Sequence, residues 1–195
     1  MGYLPDGRHV VVSRRGDKIH SVVQTYTVAT KTTELYGGEV TEEVPTWVWP
    51  PIVDSHVHLA VSPVGEQLAA HGVGAVVDLG APESTLRAAA PLTIIASGPM
   101  ITQPNGYPLD SWGANGYGIG CSERTCVIAA IDRLAAAGAG VIKLPLDRGG
   151  MVAELVAPAV DHAHAKGLKV AVHALTNEAA LCAMRASTTP RSQPR

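Results

Sequence analysis

The stretch "IVDSHVHL", residues 52–59, sets His56 and His58 one spacer apart behind an apolar run. Residues two apart on a strand project from the same face, so both imidazoles can reach one ion. Neutral imidazole nitrogen and carboxylate oxygen are donors that zinc and related divalent cations accept, and a catalytic site leaves one position open. Two histidines satisfied by hydrogen bonds at a strand end would show the same spacing, and the motif alone does not separate the two readings. Two further residues bear on the choice: Lys143 in "GVIKL" and His173 in "LKVAVHA", each near the end of an apolar run. An ammonium on an otherwise apolar strand is costly to bury and needs a carboxylate partner or a change of chemical state. For His173 the alternative is a packed core histidine.

Such residues need elements to hold them, and the chain changes style near Pro50. Residues 1–50 read as strands: "HVVVS", "KIHSVVQTYTVAT" and "GGEVTEEVPTWVW" are rich in Val, Thr and aromatics, with Asp-Gly and Gly-Gly turns between them. Residues 51–186 alternate short apolar runs with Ala-rich stretches. The runs "IVDSHV", "AVVDL", "TIIAS", "GVIKL" and "LKVAVHA" have the length of buried parallel strands. The stretches "GEQLAAHG", "PESTLRAAA", "SERTCVIAAIDRLAAAG" and "MVAELVAPAVDHAHAKG" are helix candidates. Ser122 with Glu123 is expected to cap the third, Gly138 to end it, and Gly167 to end the fourth. Pro158 is expected to kink or break that last helix. Repeated strand and helix imply an α/β fold with a parallel sheet, either doubly wound or a (β/α) barrel. Between the third run and its helix lies "SGPMITQPNGYPLDSWGANGYGIGC", a long Gly/Pro-rich loop in which Tyr107, Trp112 and Tyr117 can line a substrate pocket or simply anchor the loop. Residues 187–195 read as an irregular polar tail.

Composition narrows the function. Of the 195 residues 46% are hydrophobic and 16% charged, a globular balance, and the formal net charge of -2 with scattered Lys and Arg offers nothing to nucleic acid. The start lacks the charged head and apolar core of a secretory signal. The greasiest later stretch carries Asp132, Arg133 and Lys143, which makes a poor membrane span. Cys121, Cys126 and Cys182 form no C-x-x-C pair and read as free thiols of a cytoplasmic protein. Asp54 and Asp78 are weaker site candidates, with a capping or structural role favoured for Asp54. His71, His162 and His164 fall on helix candidates and read as surface residues.

The order "VDSHVH", "GVIKL", "VHA", with "GVGAVVDLG" and "SGPMITQPNGYP" between, resembles the metal-dependent amidohydrolase superfamily, especially its imidazolonepropionase-like and prolidase-like members. The resemblance covers most of residues 51–183. It implies a TIM barrel preceded by a small β-sandwich, and a hydrolase in which metal-activated water attacks the carbonyl of a C–N bond in an amide, a peptide-like molecule or a cyclic imide. His56 and His58 would be ligands of a divalent cation, zinc in the first instance. Of one or two ions, Lys143 would be a carboxylated lysine able to bridge a pair, and His173 the ligand of the second metal. Such enzymes also use a His from a sixth strand and an Asp from an eighth, and neither has a counterpart here. The expectation is therefore a truncated barrel of about five βα units with no assigned catalytic acid. A small-molecule substrate, and a homo-oligomer or a complementing chain, are the expected partners; an inactive metal-binding fragment and a lactonase-like esterase are the alternatives.

Overall fold

The computed structural model describes residues 1–16, 18–25, 30–35, 37–43 and 47–188. The chain divides between Pro51 and Ile52 into two compact units. The first holds β1 (Gly2–Tyr3), β2 (His9–Arg15), β3 (Lys18–Gln24), β4 (Thr30–Leu35) and β5 (Gly38–Glu43). β1, β2 and β3 pair antiparallel, as do β4 and β5. The Asp6-Gly7 turn leads into β2, with Gly7 donating to the Leu4 carbonyl at 2.9 Å.

The second unit runs β6 (Ile52–Val57), α1 (Gly65–Ala70), β7 (Val73–Asp78), β8 (Thr93–Ala96), β9 (Met100–Thr102), β10 (Gly118–Gly120), α2 (Arg124–Ala137), β11 (Val141–Pro145), α3 (Ala153–Ala165), β12 (Lys169–His173) and α4 (Asn177–Thr188). β6, β7 and β8 pair parallel in chain order, and so do β11 and β12. Gly140 donates to the Ala96 carbonyl at 2.9 Å, joining the end of β8 to the start of β11. The five strands expected from the apolar runs thus exist, in a mixed α/β fold.

Three expectations change. "PESTLRAAA" forms only a single tight turn at Glu83–Thr85. Pro91 follows at once and disfavours helical backbone at Ala90, leaving too few residues to repay nucleation. The long loop is not free of regular structure, because it contains β9 and β10, which pair parallel. The thiols are not all free either: Cys121 and Cys126 are disulfide-bonded, and Cys182 is the free cysteine.

Helix ends differ in detail. Glu123 is the first flanking residue of α2, and no side chain caps it, so Ser122 does not act as expected. The disulfide instead ties the first turn of α2 to the residue after β10. Gly138 ends α2 with φ of 104°, a left-handed conformation that suits a residue without Cβ. α3 passes through Pro158 without a break. Its missing donor costs about 3 kcal/mol in a helix interior. Burial of Val156, Ala159, Val160 and Ala163 on one face offsets that cost. α4 extends to Thr188, two residues into the segment read as a tail, and residues 189–195 lie outside the described residues.

The core lies where α2 and α3 cover β11. Ile131, Leu134, Ile142, Leu144, Val156 and Ala163 are fully buried in one cluster with Ile101 of β9. Asp132 of α2 accepts from Lys166 and His162 at 2.7 Å each, fastening α2 to the end of α3. Among the described residues no helix is long and apolar enough to cross a membrane. Leu134→Ala should lower the unfolding free energy by about 2–5 kcal/mol, read as a drop in the urea midpoint at constant slope.

Candidate metal centre

β6 delivers His56 within the strand and His58 one residue past its end. Their ring centroids lie 5.2 Å apart at an interplanar angle of 69°. The His58 Nδ1 sits 3.4 Å from the Gly80 carbonyl oxygen. Asp54 does not join them: its Oδ1 accepts the His56 backbone N–H at 3.1 Å, a local turn brace of the structural kind expected.

Lys143 occupies the middle of β11, where every residue is buried, and is itself only 2% exposed. Among the described residues no carboxylate forms an ion pair with it. Burial alone lowers its pKa to about 8. His173 ends β12, paired in register with Pro145. Its Nε2 is buried without a hydrogen-bond partner among the described residues.

Electrostatics link the four. Burial lowers the pKa of His56, and the charges of Lys143, His58 and His173 push the same way. Burial, then Lys143, lower that of His173, with Asp147 opposing and Arg148 adding to the fall. Both imidazoles are therefore held toward the neutral form, which is the form that ligates. Among the described residues no three His, Cys, Asp or Glu side chains stand together as a metal-holding group. Two deficits stand out among the described residues: Lys143 lacks a counter-charge and His173 a partner for Nε2. Imidazole nitrogen is a donor that divalent cations accept, so the donor types are compatible with a metal although they are not gathered into one group.

The three loop aromatics come to the same place. Trp112 meets His58 edge-on at 5.9 Å, Tyr107 at 5.9 Å and Tyr117 at 5.2 Å. Tyr107 stacks on His173 at 5.0 Å and 25°. An arc of rings therefore runs from His58 to His173. His71 and His162 stay away from it. His71 lies 2.7 Å from its own helix's Gln67 carbonyl, and His162 pairs with Asp132. His164 lies on the last turn of α3.

Two residues escape a sequence reading. The Asp147 carboxylate accepts from the Leu175 backbone N–H and, at 2.7 Å, from the Thr176 hydroxyl, joining the loop after β11 to the loop after β12. Arg148, at φ 55°, places its guanidinium carbon 5.1 Å from the Tyr107 ring centroid. The only signal was polar "DR" before "GG" directly after an apolar strand.

No protein-family model matches the chain, and no curated protein does. Solved structures do. A prolidase in complex with N-methylphosphonate-L-proline superposes with a TM-score of 0.68 at 18% identity, over 95% of this chain and 57% of that one. An amidohydrolase gives 0.62 at 20% over 73% and 47%. A Xaa-Pro dipeptidase with methionine in its active site gives 0.56 at 22% over 72% and 47%. The chain shares the fold of amidohydrolases and prolidases. It spans about half the length of these structures.

The buried amine makes a measurable claim about the metal-free protein. An unfolded lysine titrates near 10.5 and the folded Lys143 near 8. Between those values the unfolded chain binds more protons, so stability should rise as pH goes from 8 to 10.5, with the full cost present below 8. Lys143→Met should flatten that rise and stabilise the protein at neutral pH by about 1–3 kcal/mol in denaturation series run in carbon-dioxide-free buffer. A wild-type curve flat across that window would exclude a buried, unpaired amine.

Proposed function

We propose that the chain carries the ligand-bearing part of a hydrolase site that opens an amide-type C–N bond in a small molecule. His56, His58, carboxylated Lys143 and His173 hold one or two divalent cations in this reading. The observation that carries it is the buried Lys143 amine, without a counter-charge among the described residues, near two histidines whose pKa burial lowers. A pKa of about 8 leaves roughly a tenth of that amine neutral at pH 7. The neutral amine adds to carbon dioxide: an N–C bond forms, one C=O π bond opens with its electron pair moving to oxygen, and the nitrogen releases one proton, so an ammonium that repels cations becomes a carbamate anion that binds them. Zinc suits the nitrogen and oxygen donors, and bound metal supplies Lewis acidity and a lowered pKa for water.

The chain's own residues do the rest. His56 and His173 present lone pairs because their surroundings, burial first, disfavour the proton. Tyr107, Trp112 and Tyr117 offer ring faces and edges against which an acyl or ring portion of substrate can stack and exclude water. The amide class is preferred because the superposing proteins are an amidohydrolase, a prolidase and a Xaa-Pro dipeptidase. Esters and lactones need the same site and are the competing substrates. No group on this chain is assigned to protonate the departing nitrogen.

A second reading rests on the strand edges. Among the described residues β6 pairs only with β7, and β12 only with β11. Ile52 and Val53 on β6 are 61% and 59% exposed. An apolar, unpaired edge is where another strand adds. In this reading a complementing chain supplies strands beside β6 and β12, and the cation site is complete only in that assembly.

The deciding experiment measures metal per chain and mass together, by elemental analysis of size-separated protein, with hydrolysis of N-acyl amino acids and lactones assayed on each fraction. Two ions per monomer with amide turnover support the first reading. Metal retained only in an assembly supports the second. Protein that binds no zinc in any fraction, or binds it equally well as His56→Ala and His58→Ala variants, overturns both.

A further inference from the structure

Asp78 closes β7 and is only 4% exposed, an unusual place for a carboxylate on an apolar strand. Its neighbours are backbone groups. Ser97 donates to its carbonyl at 2.8 Å, and Leu79 donates to the Val57 carbonyl at 3.0 Å, so the ends of β6, β7 and β8 are laced at this residue. Burial raises the pKa of its carboxyl, and the nearby backbone N–H groups of Leu59 and Gly80 and the His58 ring oppose that rise. Its Oδ1 is buried with no partner among the described residues.

Those two donors flank His58. Leu59 is the next residue in the chain, and the Gly80 carbonyl is the group facing His58 Nδ1 at 3.4 Å. Gly80 has φ of 155°, and a Cβ there would stand 2.5 Å from Met100 Cε and 3.3 Å from Cε1 and Nδ1 of His58. Glycine therefore lets the backbone approach the ring, and one buried carboxylate lies beside both the residue after the ring and the residue that meets it. A structural brace alone would be satisfied by a neutral acceptor; this one brings a negative charge to the edge of a histidine.

We propose that Asp78 is a positioning residue that fixes His58 as the Nδ1–H tautomer, hydrogen-bonded to the Gly80 carbonyl, leaving Nε2 as the lone-pair nitrogen offered to a cation. The inference rests on the reading of His58 as a metal ligand. A backbone carbonyl or carboxylate behind a ligating imidazole sets its tautomer and raises its donor strength, and losing such support typically weakens metal binding about 10–100-fold.

The test uses the metal-free protein labelled with ¹⁵N. Long-range proton–nitrogen correlation reads the tautomer of each imidazole, with the His58 signals assigned by their loss in His58→Gln. The wild type is expected to show His58 protonated at Nδ1. Asp78→Ala is expected to shift it toward the Nε2–H form, and to weaken zinc binding at least tenfold by competition with a chelating dye. Asp78→Asn keeps an acceptor oxygen, so it should preserve the tautomer while losing affinity from the missing charge. A wild-type His58 protonated at Nε2 overturns the proposal without any variant, so a poorly folding Asp78→Ala protein cannot shelter it. An unchanged tautomer and unchanged zinc affinity in a folded Asp78→Ala protein overturn it as well. Zinc binding that survives His58→Gln instead removes the ligand reading itself, a separate failure.

Discussion

Lys143 sits in the middle of a strand with no exposed residue, and among the described residues nothing of opposite charge answers it. Taking an ammonium out of water without a partner is among the most expensive acts a fold can perform. The rest of the second unit is arranged so that the cost is borne. α2 and α3 cover β11 with Leu134, Ile131, Val156 and Ala163, and the apolar burial there stabilises the strand that holds the amine. The cost shows as a basicity lowered to about 8. Burial also lowers the pKa of His56 and His173, and the Lys143 charge adds to the fall in both.

Around that group the loops behave as a second layer of organisation. Trp112 and Tyr107 touch candidate ligands contributed by strands at opposite ends of the parallel series, β6 and β12, so the loop that carries them spans the face between. Asp147 does the same in a polar idiom, tying the turn after β11 to the one after β12. Neither device belongs to the strands, yet both limit how far the strand ends can drift apart.

How much of this was legible depended on range. Apolar runs of five to seven residues announced β6, β7, β8, β11 and β12, and period alone put His56 beside His58, because a strand's pleat is a local property. The end of α2 at Gly138 was equally readable. β9 and β10 were not, since three residues carry no period and their pairing is made by parallel partners distant in sequence. "PESTLRAAA" has helix-forming composition, and only the closeness of Pro91 and the next strand denies it the length. The disulfide was missed because spacing without a C-x-x-C pattern says nothing about whether two sulfurs will meet. The aromatic arc could be named residue by residue but not placed, because it depends on the path of a loop more than twenty residues long.

The bridge between Cys121 and Cys126 spans a sequence separation of 5. A ring that small removes little freedom from the unfolded chain, about 2 kcal/mol by the loop-entropy argument, against about 4.7 for a hundred-residue loop. Its work is local: it moors one end of α2, while the cluster under Leu134 carries that helix's weight. Reduction should consequently cost the fold no more than about 2 kcal/mol, and a cystine here removes the argument for a reducing compartment that three free thiols would have made.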